Sequence, residues 1–155
     1  VGIPMNRWWE KNNDRLNREI QLMNKKFPQF QIGEAFDNKI HRGWTIAREG
    51  QLFWKGDLRT NAGNTYTAVI TYPDHYPGME IRTFIIEPYL TNPNHRYGDG
   101  HLCLYSNDHG GRGQGTGKGM TAVSYVGWTA AWLHAYEIYK KNGTWPENSF
   151  FDRAR

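Results

Sequence analysis

The sequence predicts a single α+β domain, and three observations carry that reading. An amphipathic helical pattern opens the chain, short strand-like runs fill its middle, and a second helical pattern follows a long irregular segment. At 155 residues the chain is the size of one domain, long enough to bury a real core. Aromatic residues make up 15%, with seven Trp, a composition that excludes disorder for most of the chain.

The first element is read from Asn6 to Phe27. Trp9, Leu16, Ile20, Met23 and Phe27 recur at helical steps and define one apolar face, while Asp14/Arg18 and Arg15/Glu19 stand four apart on the side expected to be exposed. Pro28 stops this helix. Four runs then read as an antiparallel meander of about four strands: Gly43–Ile46, Gln51–Leu58, Thr65–Tyr72 and Glu80–Ile86. Between them lie the turn signals Glu49-Gly50, Asn61-Ala62-Gly63-Asn64 and the Pro73–Gly78 break. Alternation of Ala68/Ile70/Tyr72 with Thr67/Val69/Thr71 predicts one buried face.

Glu87 to Gly119 shows little apolar periodicity, apart from the short run Leu102-Cys103-Leu104-Tyr105. Ser106 to Gly119 holds six glycines and reads as a flexible lid that admits a partner chain. Helical spacing returns over Thr121–Lys141. It carries two stripes, Val123/Val126/Ala130/Leu133 and Tyr125/Trp128/Trp132/Tyr136/Tyr139, so this helix is expected to be buried on both faces. Lys140-Lys141 and Gly143 close it.

Composition narrows the function classes. One cysteine excludes an internal disulfide and fits a reducing, cytoplasmic setting. The stretch Met120–Leu133 is too short and too polar to span a bilayer, so no membrane association is expected. No signal-peptide pattern opens the chain, and its first residue, Val, is compatible with a missing N-terminal piece. The net charge of +4 resides in residues 1–60, with eleven Lys/Arg against seven Asp/Glu; residues 61–155 hold eight of each. That balance suits an acidic protein partner as well as nucleic acid, and no nucleic-acid binding is expected.

Cys103 is the centre of the candidate chemistry. A lone cysteine is often a small buried hydrophobe. Here Asn94, His95, Asp99 and His101 lie just upstream, in a loop where polar side chains can converge on a thiol. A Cys/His hydrolase would recruit His95, His101 or His109 as base, with Asn94 or Asp108 orienting it. A metal site would use His95, His101 and Cys103, but solvent-facing loop histidines explain the pattern more simply, and no metal or cofactor is expected. The stretch Gly111–Gly119 fails the phosphate-loop pattern, with Arg112 where a glycine is required and Gly119 where Ser or Thr is required. The aromatic stripe of the last helix lacks the interleaved Lys/Arg of a base-stacking platform.

Three motifs in order around this cysteine resemble one family. Tyr72-Pro73-Asp74-His75-Tyr76-Pro77 is similar to the aromatic-Pro-x-x-Tyr-Pro signature of ubiquitin-conjugating enzymes. Asn92-Pro93-Asn94 resembles their His-Pro-Asn motif, and Gly100-His101-Leu102-Cys103-Leu104 their Gly-x-Ile-Cys-Leu run. The resemblance covers roughly Arg7 to Trp145 and implies the ubiquitin-conjugating fold. It further implies that Cys103 carries the C-terminus of a ubiquitin-like protein as a thioester, received from an activating enzyme and passed to an acceptor. Asn94 would then stabilise the oxyanion or hold the loop.

This chain departs from the pattern at several places. Asn92 stands for the motif's His, and one extra residue lets either Asn94 or His95 occupy the functional place. Tyr105 stands where many members have an acidic residue, and the Trp that often follows the cysteine is absent. The sequence therefore looks more like divergent bacterial members in cyclic-oligonucleotide anti-phage signalling operons, whose donor is a cGAS-like nucleotidyltransferase. In that picture Arg7, Lys11, Arg15 and Arg18 of the first helix meet an acidic partner. The alternative is a non-catalytic scaffold of the same fold that binds a nucleotidyltransferase or ubiquitin-like protein.

Overall fold

The computed structural model describes residues 7–91, 95–104 and 120–146. The chain forms α1 (Trp8–Lys11), α2 (Asn13–Lys26), six strands and α3 (Ala122–Asn142). The strands are β1 (Gln31–Glu34), β2 (Lys39–His41), β3 (Trp44–Ala47), β4 (Leu52–Arg59), β5 (Thr65–Thr71) and β6 (Arg82–Glu87). This is the α+β order expected, with three corrections of detail.

The opening helix is broken. Asn12 leaves helical geometry, and its side chain accepts the Arg15 N–H at 3.0 Å, so a second helix starts there. Asparagine favours such a cap because its short amide competes with the backbone ladder. The break turns the first segment so that Trp8, rather than Trp9, enters the core; Trp9, Leu16, Ile20 and Phe27 pack partly buried against it. Glu19 is also not on the exposed side. It is 1% exposed and lies on the apolar stripe with Met23.

The main sheet is antiparallel in the order β1-β4-β5-β6. Its fourth strand is Gln31–Glu34, not the Trp44–Ile46 run. That run instead pairs with β2 as a separate hairpin, turned by Arg42 and Gly43 at φ 51° and 84°. Two positive-φ residues make the tight turn that matches strand twist. The hairpin lies over the sheet's outer face, where Ile46, Val69, Phe84 and Ile86 form a second small core, and Thr71 Oγ1 donates to Ile46 O at 2.7 Å. The central strand β5 is thus buried on both faces: Ala68 and Ile70 face the helices, while Val69 and Thr71 face the hairpin.

Helix α3 buries one broad face rather than two. Ala122, Tyr125, Val126, Thr129, Trp132, Leu133, Ala135 and Tyr136 are buried, drawing from both predicted stripes, while Ala130 is exposed. Its start is capped by Ser124 Oγ, which accepts the Thr121 N–H at 3.2 Å, and its end by Gly143 at φ 83°.

Helix α3 and the sheet meet α2 at a single carboxylate. Glu19 accepts from Tyr72 OH at 2.7 Å, Tyr76 OH at 2.6 Å and Ala122 N–H at 3.0 Å. Burial, then the neighbouring Glu19 charge, holds both phenols above the usual tyrosine range, so they remain donors. Glu19→Ala would orphan these donors, each at about 1–3 kcal/mol. We expect a loss of about 4 kcal/mol and a melting point lower by about 10 °C in calorimetry. A melting point within about 2 °C of wild type would show that this carboxylate does not hold the elements together.

Candidate active site

Residues 95–104 form a compact hairpin against β6. Leu102 N–H donates to Thr83 O of β6 at 2.8 Å, Cys103 N–H to His95 O at 2.8 Å and Tyr97 N–H to His101 O at 2.8 Å. Arg96 and Leu102 form an antiparallel bridge between these bonds. Leu102 and Leu104 are buried on either side, which leaves Cys103 pinned between them and partly exposed. A nucleophile needs such a fixed yet reachable place.

The turn of this hairpin requires Gly100. Its φ is +97°, and a Cβ there would stand 2.3 Å from the Trp44 ring. Trp44 of β3 thus lies flat against the turn, with the Arg96 guanidinium 4.6 Å from its centroid and Arg96 Nη1 donating to Leu90 O at 3.3 Å. The side hairpin therefore buttresses the cysteine hairpin from outside.

His95 is held from within. Its φ is +59°, its carbonyl accepts both Cys103 N–H and Trp132 Nε1–H at 3.1 Å, and its ring meets Trp145 edge-on at 4.8 Å. The residue expected as a catalytic candidate thus anchors the cysteine through its backbone. Asn94, the other candidate, lies outside the described residues, as do Tyr105, Asp108, His109 and the glycine-rich stretch.

The electrostatics of the thiol follow from its surroundings. Burial pushes the Cys103 thiol up, the Tyr97 hydroxyl bonded to it pulls it down, and the nearby Glu80 charge pushes it up again, so the net direction is upward. His101 pairs through Nδ1 with Asp99, and its ring stacks on Tyr97 at 4.4 Å. Burial holds His101 below the ordinary histidine range despite the Asp99 charge. Burial pushes Asp99 up, but the His101 N–H and ring together with Arg82 outweigh it and hold the carboxyl below its usual range. Among the described residues no three His, Cys, Asp or Glu side chains gather as a metal-binding group.

Tyr97 was not among the residues that sequence reasoning singled out. Only the hairpin brings it to Cys103, and its signal is the Gly98-Asp99-Gly100 turn inside a segment that otherwise reads as irregular. The four basic residues of the first helices divide. Arg7 is engaged with Glu34 at 3.0 Å, and Arg15 lies over Tyr76 at 5.4 Å. Lys11 and Arg18 are exposed.

A short N-terminal helix pair, a four-stranded antiparallel sheet, a lone cysteine on a hairpin beyond the last strand and a long closing helix make an architecture of the ubiquitin-conjugating, or E2, type. The family model of type II CBASS E2 proteins matches residues 19–151, and the chain belongs to that family. Its role is ubiquitin-conjugating-like, within CBASS. A crystal structure of ubiquitin conjugating enzyme E2 from Plasmodium falciparum is similar over 86% of this chain and 88% of that one, at 15% identity and a TM-score of 0.48. No curated protein matches the chain.

Gly100→Ala combines a disfavoured φ with a clash into Trp44. It is expected to cost about 2–4 kcal/mol and to speed modification of Cys103 by a disulfide reagent as the hairpin loosens. Unchanged melting and labelling would mean that the Trp44 buttress does not hold the cysteine hairpin.

Proposed function

We propose that this protein carries the C-terminal acyl group of a protein donor as a thioester on Cys103 and passes it to an acceptor. The observation that carries this reading is Cys103 itself: the chain's single cysteine, partly exposed on a hairpin fixed to β6 and backed by α3. The Cys103 thiolate attacks the donor's activated carbonyl and expels the group that activated it. An acceptor nucleophile then attacks the new thioester, loses its proton and releases the Cys103 thiolate.

The upward direction of the thiol favours a transferase over a hydrolase. A thiol that burial holds above its ordinary range is a weak attacker of an ordinary peptide carbonyl. It reacts well only with a donor that another component has already activated, so an activating enzyme or its equivalent belongs to the reading. The donor is a ubiquitin-like protein or a cGAS-like nucleotidyltransferase. The His95 carbonyl holds the hairpin, and the oxyanion role is assigned to Asn94 or to the His95 ring beside it. Lys11 and Arg18 present exposed positive charge to an acidic partner surface, with Arg7 and Arg15 at its inner edge.

Expression with the neighbouring operon genes followed by intact-mass measurement tests the reading. Wild type is expected to carry an adduct that reductant removes, and Cys103→Ser an adduct that reductant leaves. If neither carries one while Cys103→Ala still supports operon function, the chain is a scaffold. Separately, Lys11→Glu with Arg18→Glu is expected to slow loading by about tenfold at low salt, with the deficit shrinking as salt rises. Loading at the wild-type rate would remove this face from the partner surface.

A further inference from the structure

The sulfur of Cys103 sits at the end of a stack of side chains that belong to one turn. Across the hairpin Tyr97 pairs with His101 and His95 with Cys103, on either side of the Arg96–Leu102 bridge, so Tyr97 and Cys103 share one face and the Tyr97 hydroxyl serves as the donor toward the sulfur. Tyr97 is oriented twice, by its N–H to His101 O at 2.8 Å and by its ring lying on the His101 ring at 4.4 Å and 26°. His101 is oriented twice as well, since both its N–H and its Nδ1 meet Asp99 Oδ1, and its ring abuts Phe84 of β6. Arg82 of β6 faces the other Asp99 oxygen at 3.9 Å. Glu80, in the segment before β6, lines the same small cleft as Tyr97 and His101.

The His101 ring is 12% exposed and is held towards its neutral form by burial. What it offers Tyr97 is therefore a fixed flat surface rather than a charge. We propose that Asp99 and His101 are positioning residues that hold the Tyr97 hydroxyl on the Cys103 sulfur, and that this hydrogen bond governs how readily the sulfur ionises. The inference rests on the reading of Cys103 as the reacting group and gives it a control element inside its own hairpin. Among the described residues, Glu80 opposes ionisation, Tyr97 favours it, His95 stands across the hairpin from Cys103, and Asp99, faced by Arg82, fixes the ring behind Tyr97.

Alkylation by iodoacetamide across pH reads this directly, because the chain has one cysteine. Loss of the donor moves the ionisation midpoint upward. For a shift of about one pH unit, the thiolate population near neutrality falls about tenfold, while each thiolate becomes about threefold more nucleophilic. Tyr97→Phe should thus react about threefold more slowly near pH 7 and about threefold faster at its alkaline plateau, so the two profiles cross. His101→Ala should move the profile the same way, and His101→Phe, which keeps a flat ring, should restore it.

A Tyr97→Phe profile that overlays wild type overturns the hydrogen bond's role. A His101→Phe profile displaced as far as that of His101→Ala overturns the positioning role. Alkylation needs no acyl donor, so either failure is distinct from a failure of the thioester reading, which the mass measurement decides.

Discussion

The structure depends on the burial of the Glu19 carboxylate. A charge taken out of water is tolerable only where donors replace its hydration, and here three do: Tyr72 OH, Tyr76 OH and Ala122 N–H. Each comes from a different part of the chain. Tyr72 directly follows the central strand, Tyr76 lies in the proline-rich turn, and Ala122 opens α3, where the helix dipole also favours an anion. Trp54 Nε1–H donates to Tyr72 OH at 2.9 Å and carries the network one strand further. Above Tyr76 stands Arg15, whose guanidinium covers the ring. The Tyr-Pro-x-x-Tyr-Pro motif thus supplies two donors that hold a helix carboxylate.

Helix α3 is then fixed along its length. At its start Glu19 receives the Ala122 N–H, and at its middle Trp132 donates to His95 O. Near its end Glu137 accepts from Thr60, Asn64 and Tyr66 at 2.8, 2.8 and 2.9 Å. Burial pushes that carboxyl up, but the three hydrogen bonds outweigh it and hold it below its usual range. The middle attachment is the one that matters for chemistry, because the same carbonyl accepts the Cys103 N–H. Long closing helix and cysteine hairpin are therefore one rigid unit, locked further by Trp145 against both His95 and Trp132.

Much of this was legible in the sequence because periodicity reports burial. The last helix and the stop at Pro28 followed from apolar spacing and turn chemistry alone, whereas β5, whose alternation predicts one buried face, is buried on both because the β2–β3 hairpin covers the other. What escaped was polar. By sequence Glu19 reads as half of a solvent pair with Arg15, since a carboxylate four residues from an arginine ordinarily sits outside; its place between Leu16 and Met23 on the apolar stripe is the clue to its burial. Trp8 and Trp9 could exchange roles only because Asn12 breaks the helix, and side-chain capping leaves no trace in a hydrophobic pattern. The Trp44 hairpin satisfied every strand rule yet belonged to another sheet, because register between distant strands is set by packing. Cys103 was visible at once; Tyr97 needed the hairpin fold to bring it there.

The same constraint joins the helix proposed to meet a partner to the sulfur of Cys103. One face of α2 carries Arg18, with Lys11 at the end of α1, while its inner face carries Glu19 and Met23. Glu19 reaches α3, α3 reaches His95 O through Trp132, and His95 O reaches Cys103. Each link is a buried or partly buried hydrogen bond rather than a long surface side chain. A protein seated on Lys11 and Arg18 would therefore meet a surface whose distance from the thiol is fixed by packing. Acyl transfer between two proteins requires that kind of registry, because reacting atoms must meet within about 3–3.5 Å while the docking contacts lie far from them. A buried carboxylate costs stability unless every donor stays in place. On this reading the fold retains it because it holds the docking helix, the long helix and the cysteine hairpin in one frame.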